Sequence, residues 1–370
     1  MDREVSEVVS SSVDYWVADD LDERNKTVVE DYRRYIARKI LFILICVIIA
    51  IVTVGLTLTY GPFDIGFFET YDILFHHLIN DIQDEIKDSV IWDMRLPRIA
   101  AGLIAGAGLA VAGATMQSVL KNPLADPYTT GISSGALFGA SLSIAFGVQI
   151  MSGQYGTIIN AFVFSLIPTM VIVGISKLRN SSPTTMVMAG IAVMYIFNSI
   201  TTVVKLWADP NALSDLYRWQ VGSLANIHWE DLPLMFTLTV VGSAILFVIS
   251  KKLNILAMGD DTAKSMGIDA DNLRVICLVI VALITASIVS FTGLIGFVGL
   301  VVPHIVRLFV GSDNRFTIPA SLVFGSAFLV ICDQIGRALF KFSLEVGVVT
   351  AFIGGPMFLY LILRRRKGAV

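Results

Sequence analysis

Charged residues are scarce in this chain. Its 370 residues include 27 Lys and Arg and 30 Asp and Glu, which is 15% of the sequence, whereas 55% are hydrophobic. The mean hydropathy is +0.75, and the uncharged segments are too long and too numerous to form the interior of one soluble core. This composition excludes a soluble globular protein. We expect a polytopic protein surrounded by membrane lipid, without a nucleic-acid partner.

Cysteine is also rare. Cys46, Cys277 and Cys332 are the only three in the chain. All of them fall inside predicted membrane spans, where packing as small hydrophobic residues is favoured over disulfide formation. They therefore give no indication of the redox compartment.

Catalytic and nucleotide-binding motifs are missing. The nearest candidate for a phosphate loop is the segment 259–265, but Ala263 stands where a glycine should precede Lys264. Two aspartates in the same segment would repel a phosphate. The sequence also lacks a nucleophile with a histidine and an acid at suitable spacing. We therefore expect no enzyme activity, no bound metal and no cofactor on this chain.

The uncharged segments predict an all-α membrane protein with ten transmembrane helices. A span needs roughly 20 apolar residues, and the segments lack the alternation of a transmembrane barrel, so helices are the remaining way to satisfy the backbone. The run 127–176 is too long for one helix and is split near 147–156. The predicted spans are 40–60, 96–120, 130–148, 156–176, 184–206, 232–250, 273–291, 294–310, 316–336 and 346–363.

The basic residues predict the orientation. With ten spans both termini lie on the same side, and most of the 27 Lys and Arg residues fall in the termini and loops of that side. By the positive-inside rule both termini are cytoplasmic, as in a multi-pass plasma membrane protein. The acidic start lacks a basic segment followed by an apolar one, so we expect no cleavable signal peptide.

The predicted domain organisation is a cytoplasmic tail at 1–35 and a ten-span membrane domain at 36–367. The outer loop 61–94 is acidic, and we favour a solvated surface over an ion funnel. Its adjacent His76 and His77 do not point the same way on a helix, which argues against a metal site. A second outer loop, 207–231, is rich in tryptophan and is predicted to form a short interfacial helix.

Three arginines at span ends on the basic-poor outer side have two interpretations. Arg95, Arg98 and Arg337 could each grip a carboxylate in a bidentate fork, or they could reach towards the interface without a partner. The one carboxylate inside a predicted span, Asp333, is placed one helical turn from Arg337, which suggests an ion pair. A relay of buried carboxylates, typical of proton-coupled carriers, is therefore missing.

Small residues recur with helical spacing on both sides of the connection near Pro123. Gly102, Gly106 and Gly113 precede it, and glycines four residues apart follow it. Because lipid provides no hydrophobic drive for helices to associate, small residues favour close backbone approach. The pattern predicts two tightly packed spans.

Three stretches together resemble a known family. They are RLPRIAAGLIAGAGLAVAGATMQSVLKNPLADPYTTGISSGA, GLIGFVGLVVPHIVRLFVGSDNRFTIPASLVFGSAFLVICDQIGRALF and EVGVVTAFIGGPMFLYLI. Their order and spacing are similar to those of FecCD-type permeases, the ten-span subunits of binding-protein-dependent ABC importers for ferric siderophores, haem and cobalamin. The resemblance covers about 90–365, and we expect the first 35 residues and the acidic loop 61–94 to lie outside it.

The resemblance implies partners and sites. Such permeases pair with a second permease copy, here expected as a homodimer, above two ATPase subunits that bind ATP, and they receive an extracytoplasmic substrate-binding protein. Docking of that protein would fall on Arg95, Arg98 and Arg337. Coupling to the ATPase would fall in the loop 251–272, on Met258, Gly259, Asp260, Ala263, Met266 and Gly267. Expected pathway or gate residues are Gln117, Asn122, Pro123, Ser182, Thr184, Thr185 and Asn198.

Two alternatives remain open from the residues alone. An ion-coupled secondary transporter or channel would act without an ATPase, and it predicts a charged relay at mid-membrane. A membrane-bound enzyme predicts a reactive cluster at one membrane face. The sequence favours the importer over both.

Overall fold

The structure is a computed structural model that describes residues 2–61, 63–179, 182–338 and 343–365. Every regular element within these ranges is helical, which confirms the all-α prediction. In chain order the α-helices are α1 (Asp2–Thr59), α2 (Phe67–Leu78), α3 (Glu85–Ser89), α4 (Leu96–Val119), α5 (Ile132–Phe146), α6 (Gly156–Arg179), α7 (Pro183–Trp207), α8 (Pro210–Val221), α9 (Leu232–Val248), α10 (Ser250–Met258), α11 (Asp260–Ser265), α12 (Ala270–Thr292), α13 (Val298–Val310), α14 (Asn314–Ala338) and α15 (Val346–Arg365).

Ten of these helices are apolar and coincide with the ten predicted spans. Seven are long enough to cross a membrane by length and composition, namely α1, α4 together with α3, α6, α7, α9, α12 and α14. The other three, α5, α13 and α15, contain shorter apolar segments. That all ten cross the membrane, with both termini in the cytoplasm, stays a prediction.

The first helix is longer than its predicted span. α1 passes position 35 without a break, so the predicted boundary between tail and permease domain does not coincide with a helix end. At the other terminus, the last two residues of the predicted domain, 366 and 367, lie outside the described residues.

The acidic segment 61–94 is folded. It contains α2 and α3, and a π-helical turn, Val90–Arg95, joins α3 to α4 in one apolar helix, Glu85–Val119. Two other local predictions are confirmed. α5 ends at Phe146 and α6 begins at Gly156, because Gly147 takes a left-handed conformation with φ 66° that ends the helix. The segment 207–231 contains the predicted short helix, α8.

The buried core lies around α4, and the edge of the bundle is formed by α1 and α7. The most apolar stretch of the α3–α4 helix is 83% buried, whereas that of α1 is 11% buried and that of α7 is 28% buried. α4 packs against α14, α13, α12 and α9. α1 and α7 consequently present long apolar faces outside the chain.

Glycines set the closest contacts, but not between the two helices expected. A methyl group built on Gly106 of α4 would lie 2.2 Å from the carbonyl oxygen of Gly325 on α14, and one on Gly113 would lie 2.0 Å from that of Gly299. On α5, Gly135 and Gly139 instead meet backbone of α6. The prediction that α4 and α5 pack tightly on each other is therefore wrong: α4 uses its small residues against α13 and α14, and α5 uses its own against α6.

The helices define two polar ends. α4 begins at one end, beside Arg95, and α12 begins at the opposite end, beside Arg274, so that α4 runs opposite to α12 and α14. We call these the Arg95 end and the Arg274 end. The ends of α1, α12 and α14 and the starts of α4 and α15 lie at the Arg95 end. The coupling segment, α10 and α11, lies at the Arg274 end.

Candidate docking and coupling sites

Arg95 is buried at the Arg95 end, where it fixes the connection between α1 and α2. Its side chain is 4% exposed. The two terminal nitrogens donate to the carbonyl oxygens of Leu58, at 2.7 Å, and Phe63, at 2.6 Å. Leu58 lies in the last turn of α1, where carbonyl oxygens lack an intrahelical donor, and Phe63 lies in the connection that follows. Arg95 therefore stabilises the connection between α1 and α2 and also adds positive charge at this end of the bundle.

Arg98 and Arg337 share one carboxylate. Arg98 binds Asp333 through two nitrogens, with Nη2 2.8 Å from Oδ1 and Nε 2.9 Å from Oδ2. Arg337 lies one turn along α14 with its Nε 3.2 Å from Oδ2, which confirms the predicted ion pair. Its Nη2 donates to Gln334 at 2.7 Å. The Asp333 side chain is 3% exposed, so the three charges form a buried cluster.

The three arginines line one cavity of about 350 Å³ at this end. Phe63, Val90, Met94, Ala225 and Ser343 complete its lining. The lining contains three guanidinium groups, and Asp333 pairs with only two of them, so the cavity carries an excess of positive charge. A guanidinium that already binds one carboxylate on one edge still has donors on another edge. The cavity can therefore accept an acidic side chain from outside.

The predicted coupling segment consists of two short helices, α10 and α11, joined at a glycine. Gly259 has φ 140°, a conformation that suits glycine, and it separates α10 from α11. Met258 and Met266 expose their side chains, whereas Ala263 is fully buried. Gly267, with φ 75°, ends the segment. Exposed methionines on a compact, well-anchored segment form an adaptable apolar surface.

Asp260 connects this segment to the rest of the bundle. Its carboxylate accepts from Lys121, at 2.5 Å, and from Arg274. Arg274 has no exposed surface and also contacts Asp271 at 3.1 Å. Burial alone would raise the pKa of Asp260, but the hydrogen bonds from Lys121 and Arg274 outweigh it and hold the pKa below its usual range. α11 is thereby tied to α12 and to the end of α4.

Asp313 makes a second connection, from α10 to the start of α14. Asn254 donates to its carboxylate at 2.7 Å and also accepts from the backbone of Asn314 at 2.8 Å. Arg315 binds the same carboxylate at 2.7 Å. Burial opposes ionisation, but these hydrogen bonds prevail and lower the pKa of Asp313 to about 2.

The predicted pathway residues do not converge on one site. Gln117 is buried between α4 and α13, where it donates to the Gly299 carbonyl and accepts from Arg307. Asn198 is exposed halfway along α7. Asn122 accepts from the backbone of Leu124 at 2.9 Å, which makes it a turn residue, and Pro123 follows it in that turn.

The predicted gate residues lie at the first turn of α7. Ser182 is its N-cap and accepts from the backbone of Thr185 at 3.3 Å. The Ser182 and Thr185 hydroxyls are 3.1 Å apart, and both residues and Thr184 are exposed. These hydroxyl groups therefore stand on the outside of the isolated chain at the Arg274 end.

The acidic segment 61–94 pairs several of its carboxylates internally. Asp88 binds His77 at 2.8 Å, His77 stacks on Trp92, and Glu69 binds Lys87. Within the described ranges no group of three or more His, Cys, Asp or Glu side chains is arranged to hold a metal ion.

Sequence reasoning missed three of the partners that organise these sites. Arg98 was not matched to Asp333, which is 235 positions away. Lys121 and Arg274 were counted only as basic loop residues. The available signals are that Lys121 directly follows an uncharged span and that Arg274 lies near the start of the helix after α11. Many surface lysines and arginines share these features.

The FecCD transport family model matches residues 45–364. The chain belongs to the FecCD transport family. The match is longer than the motifs indicated, and it includes the acidic segment 61–94, so the expectation that this segment lies outside the family was wrong. Members are permease subunits rather than catalytic enzymes, and the chain is a multi-pass protein of the plasma membrane.

Similar proteins support this assignment. The cobalamin import system permease protein BtuC of Halobacterium salinarum is 37% identical over 77% of this chain and 76% of its own length. The iron(3+)-hydroxamate import system permease protein FhuB of Bacillus subtilis is 34% identical over 85% of this chain and 80% of its own. A solved ABC transporter assigned to the metal-chelate type, in an inward-facing conformation, is 26% identical with a TM-score of 0.77 over 87% of this chain and 98% of its own.

Proposed function

We propose that this chain is the permease subunit of an ABC importer that moves a metal chelate, such as cobalamin or a ferric siderophore, into the cytoplasm. The observation that carries the proposal is the likeness to permeases named for cobalamin and iron hydroxamate over most of the chain. The structural likeness to a transporter assigned to the metal-chelate type supports it.

In this proposal the Arg95 end faces outward and receives the substrate-binding protein. The cavity lined by Arg98 and Arg337 would take an acidic side chain of that protein, since guanidinium groups bind carboxylates in a bidentate fork. Arg95 would contribute positive charge and hold the rim at Phe63 rather than bind the partner directly, because its terminal nitrogens already donate to two backbone oxygens.

The Arg274 end would then face the ATPase subunits. Met258 and Met266 supply an exposed apolar surface, and Asp260 and Asn254 join it to α4, α12 and α14. ATP binding and hydrolysis on the partner would shift α10 and α11, and the attached helices would open the pathway first outward and then inward.

A second copy of the chain would complete the pathway. Among the described residues the predicted pathway positions form no common site for a chelate, and α7 leaves an apolar face with Asn198 and the Ser182 turn exposed. Pairing two copies would place such faces around a shared passage. The hydroxyls of Ser182, Thr184 and Thr185 would then stand at its cytoplasmic mouth.

The ion-coupled alternative has little support from the geometry. Asp333 is the one carboxylate that we placed inside a predicted span, and in the structure it is engaged by Arg98 and Arg337. A proton relay needs carboxylates that are free to pass a proton on, whereas this one is already paired with two arginines.

The test is ATPase activity of the purified complex in lipid, with the substrate-binding protein encoded beside the permease loaded with cobalamin or with a ferric hydroxamate. We expect one loaded protein to stimulate hydrolysis and Arg98→Glu to abolish the stimulation. Arg218→Glu, an exposed arginine of α8, serves as the charge control. Transport that follows an ion gradient without any ATPase subunit would contradict the proposal.

A further inference from the structure

The helix α2 presents an aromatic stripe that no part of the described chain covers. Phe68 is 85% exposed, Phe75 61% and Leu78 71%, and Phe67 and Tyr71 are also exposed. At about 100° per residue these five side chains fall within one third of the helix circumference. We call these five residues the α2 stripe. A contiguous exposed apolar surface of this kind marks an interaction site.

The opposite side of α2 packs on the chain. Thr70 is fully buried, and Ile73 and Leu74 pack against a small core formed by Leu58, Ile65, Ile91, Ile99 and Val330. Asp72 and His76 form a polar border between this side and the stripe. α2 is therefore fixed in its rotation, and the exposure of the stripe is imposed by the fold.

A hydrogen bond sets the depth of α2. The Tyr71 hydroxyl donates to the carbonyl oxygen of Gly55 at 3.0 Å. Gly55 lies about one turn before the end of α1, whose apolar window is 11% buried. On α1, Ile51, Val52 and Leu56 are exposed next to this contact. The α2 stripe therefore continues the exposed apolar surface of α1, a helix long and apolar enough to cross a membrane.

We propose that α2 is an interfacial helix whose stripe inserts into the boundary between lipid headgroups and acyl chains at the Arg95 end. Lipid, rather than a protein partner, is the proposed occupant because the stripe continues the exposed apolar surface of a span-length helix, α1. Aromatic side chains suit this zone, and amphipathic helices lie in it with their apolar face buried.

The surrounding charge specifies the kind of attraction. Lys87 is the single Lys or Arg in the segment 61–94, which carries eight Asp and Glu residues, so anionic headgroups are not attracted. Insertion would be driven by burial of the apolar side chains of the stripe. We therefore expect α2 to insert into zwitterionic lipid, to an extent that does not depend on salt concentration. An anchored α2 would also steady Ile65 and the Phe63 carbonyl that Arg95 binds.

The experiment places a fluorescent NBD group on single cysteines introduced by Phe68→Cys, Phe75→Cys and Leu78→Cys, with Cys46, Cys277 and Cys332 replaced by serine. Asp72→Cys is the matched control, because it is exposed on the same helix beside the stripe. The full chain is reconstituted in phosphatidylcholine vesicles, with size exclusion confirming that each variant is monodisperse. Quenching is measured with doxyl-labelled phosphatidylcholine and with aqueous iodide.

We expect the three stripe positions to emit at shorter wavelength than position 72. Doxyl lipid should quench them several-fold more than position 72, and iodide should quench them less, with no change between low and high salt. Equal quenching by iodide at all four positions would place the stripe in water and overturn the proposal. Protection from both quenchers would show a protein partner there and would overturn it as well.

Discussion

Arg98 of α4 binds Asp333 of α14 through two nitrogens, at 2.8 and 2.9 Å from the two carboxylate oxygens. The same pair of helices touches backbone to backbone at Gly106 and Gly325. At the other end, Ser118 of α4 donates to Asn314 of α14 at 2.9 Å. The two helices are therefore clamped at both ends and in the middle. This arrangement suits a rigid unit between the two polar ends better than helices that slide past each other.

Removing the shared carboxylate should destabilise the fold. Asp333→Asn leaves two largely buried guanidinium groups without a counter-ion, which costs about 3 kcal/mol. We expect the thermal unfolding temperature to fall by several degrees. Unfolding can be detected with a thiol-reactive dye, because all three cysteines are buried in the folded protein. The matched control is Asp215→Asn, an exposed carboxylate of α8, which should change stability by less than about 0.5 kcal/mol. Equal effects of the two variants would contradict this.

The glycine contact between α4 and α14 should not tolerate a methyl group. Gly106→Ala forces the helices apart, because the new Cβ would lie 2.2 Å from a backbone oxygen. We expect a loss of about 2 kcal/mol or more. The matched control is Gly174→Ala on α6, where nothing lies within 4 Å of the new Cβ and the helix gains about 0.5 kcal/mol. The measurement is the thermal unfolding temperature of each variant. A Gly106→Ala variant as stable as Gly174→Ala would contradict the prediction.

Asp260 should be needed for coupling more than for folding. Asp260→Asn weakens the connections to Lys121 and Arg274, so we expect several-fold lower stimulated ATPase activity with the complex still assembled. Asp261→Asn, an exposed neighbour in α11, should leave stimulation unchanged. In a double-mutant cycle with Lys121→Ala, the effects on stimulated ATPase activity should be non-additive, because Asp260 and Lys121 contact each other. Additive effects would show that the contact is not used.

Asp126, in the connection between α4 and α5, should make stability fall as pH rises. It is 2% exposed, and burial raises its pKa to about 6 although the Tyr128 backbone donates to it. Between about pH 4 and pH 6 the folded state keeps a proton that the unfolded state releases, so folding loses up to about 3 kcal/mol across this window. Asp126→Asn should remove this loss. A wild-type unfolding temperature that tracks the variant from pH 4.5 to 7 would refute the prediction.

Local features were predictable because they depend on neighbours in sequence. The glycine-bounded break after Phe146, the short helix α8 and the pairing of Asp333 with Arg337 one turn away all follow from helix geometry and residue preference. The folded segment at 61–94 was less accessible, because its acidic surface hides the apolar stripe of α2 and the buried side that packs on Leu58 and Ile91.

Partners that are distant in sequence could not be predicted in the same way. The glycines of α4 indicated a close helix contact, but not that Gly106 meets Gly325 or that α5 uses α6. Likewise, Asp260 stood out within the coupling loop, while its partners Lys121 and Arg274 looked like ordinary basic residues. In lipid, apolar helices have similar surfaces, so shape and a few polar contacts choose between partners.

The sequence by itself determined the helical membrane architecture, the family and the positions of the polar ends, because hydropathy and motif spacing are properties of contiguous residues. Only the tertiary structure decided which helices pair, which carboxylate each arginine binds and where α2 lies. Those choices depend on the fit between surfaces that the chain brings together from positions hundreds of residues apart, and that fit is set by shape rather than by local pattern.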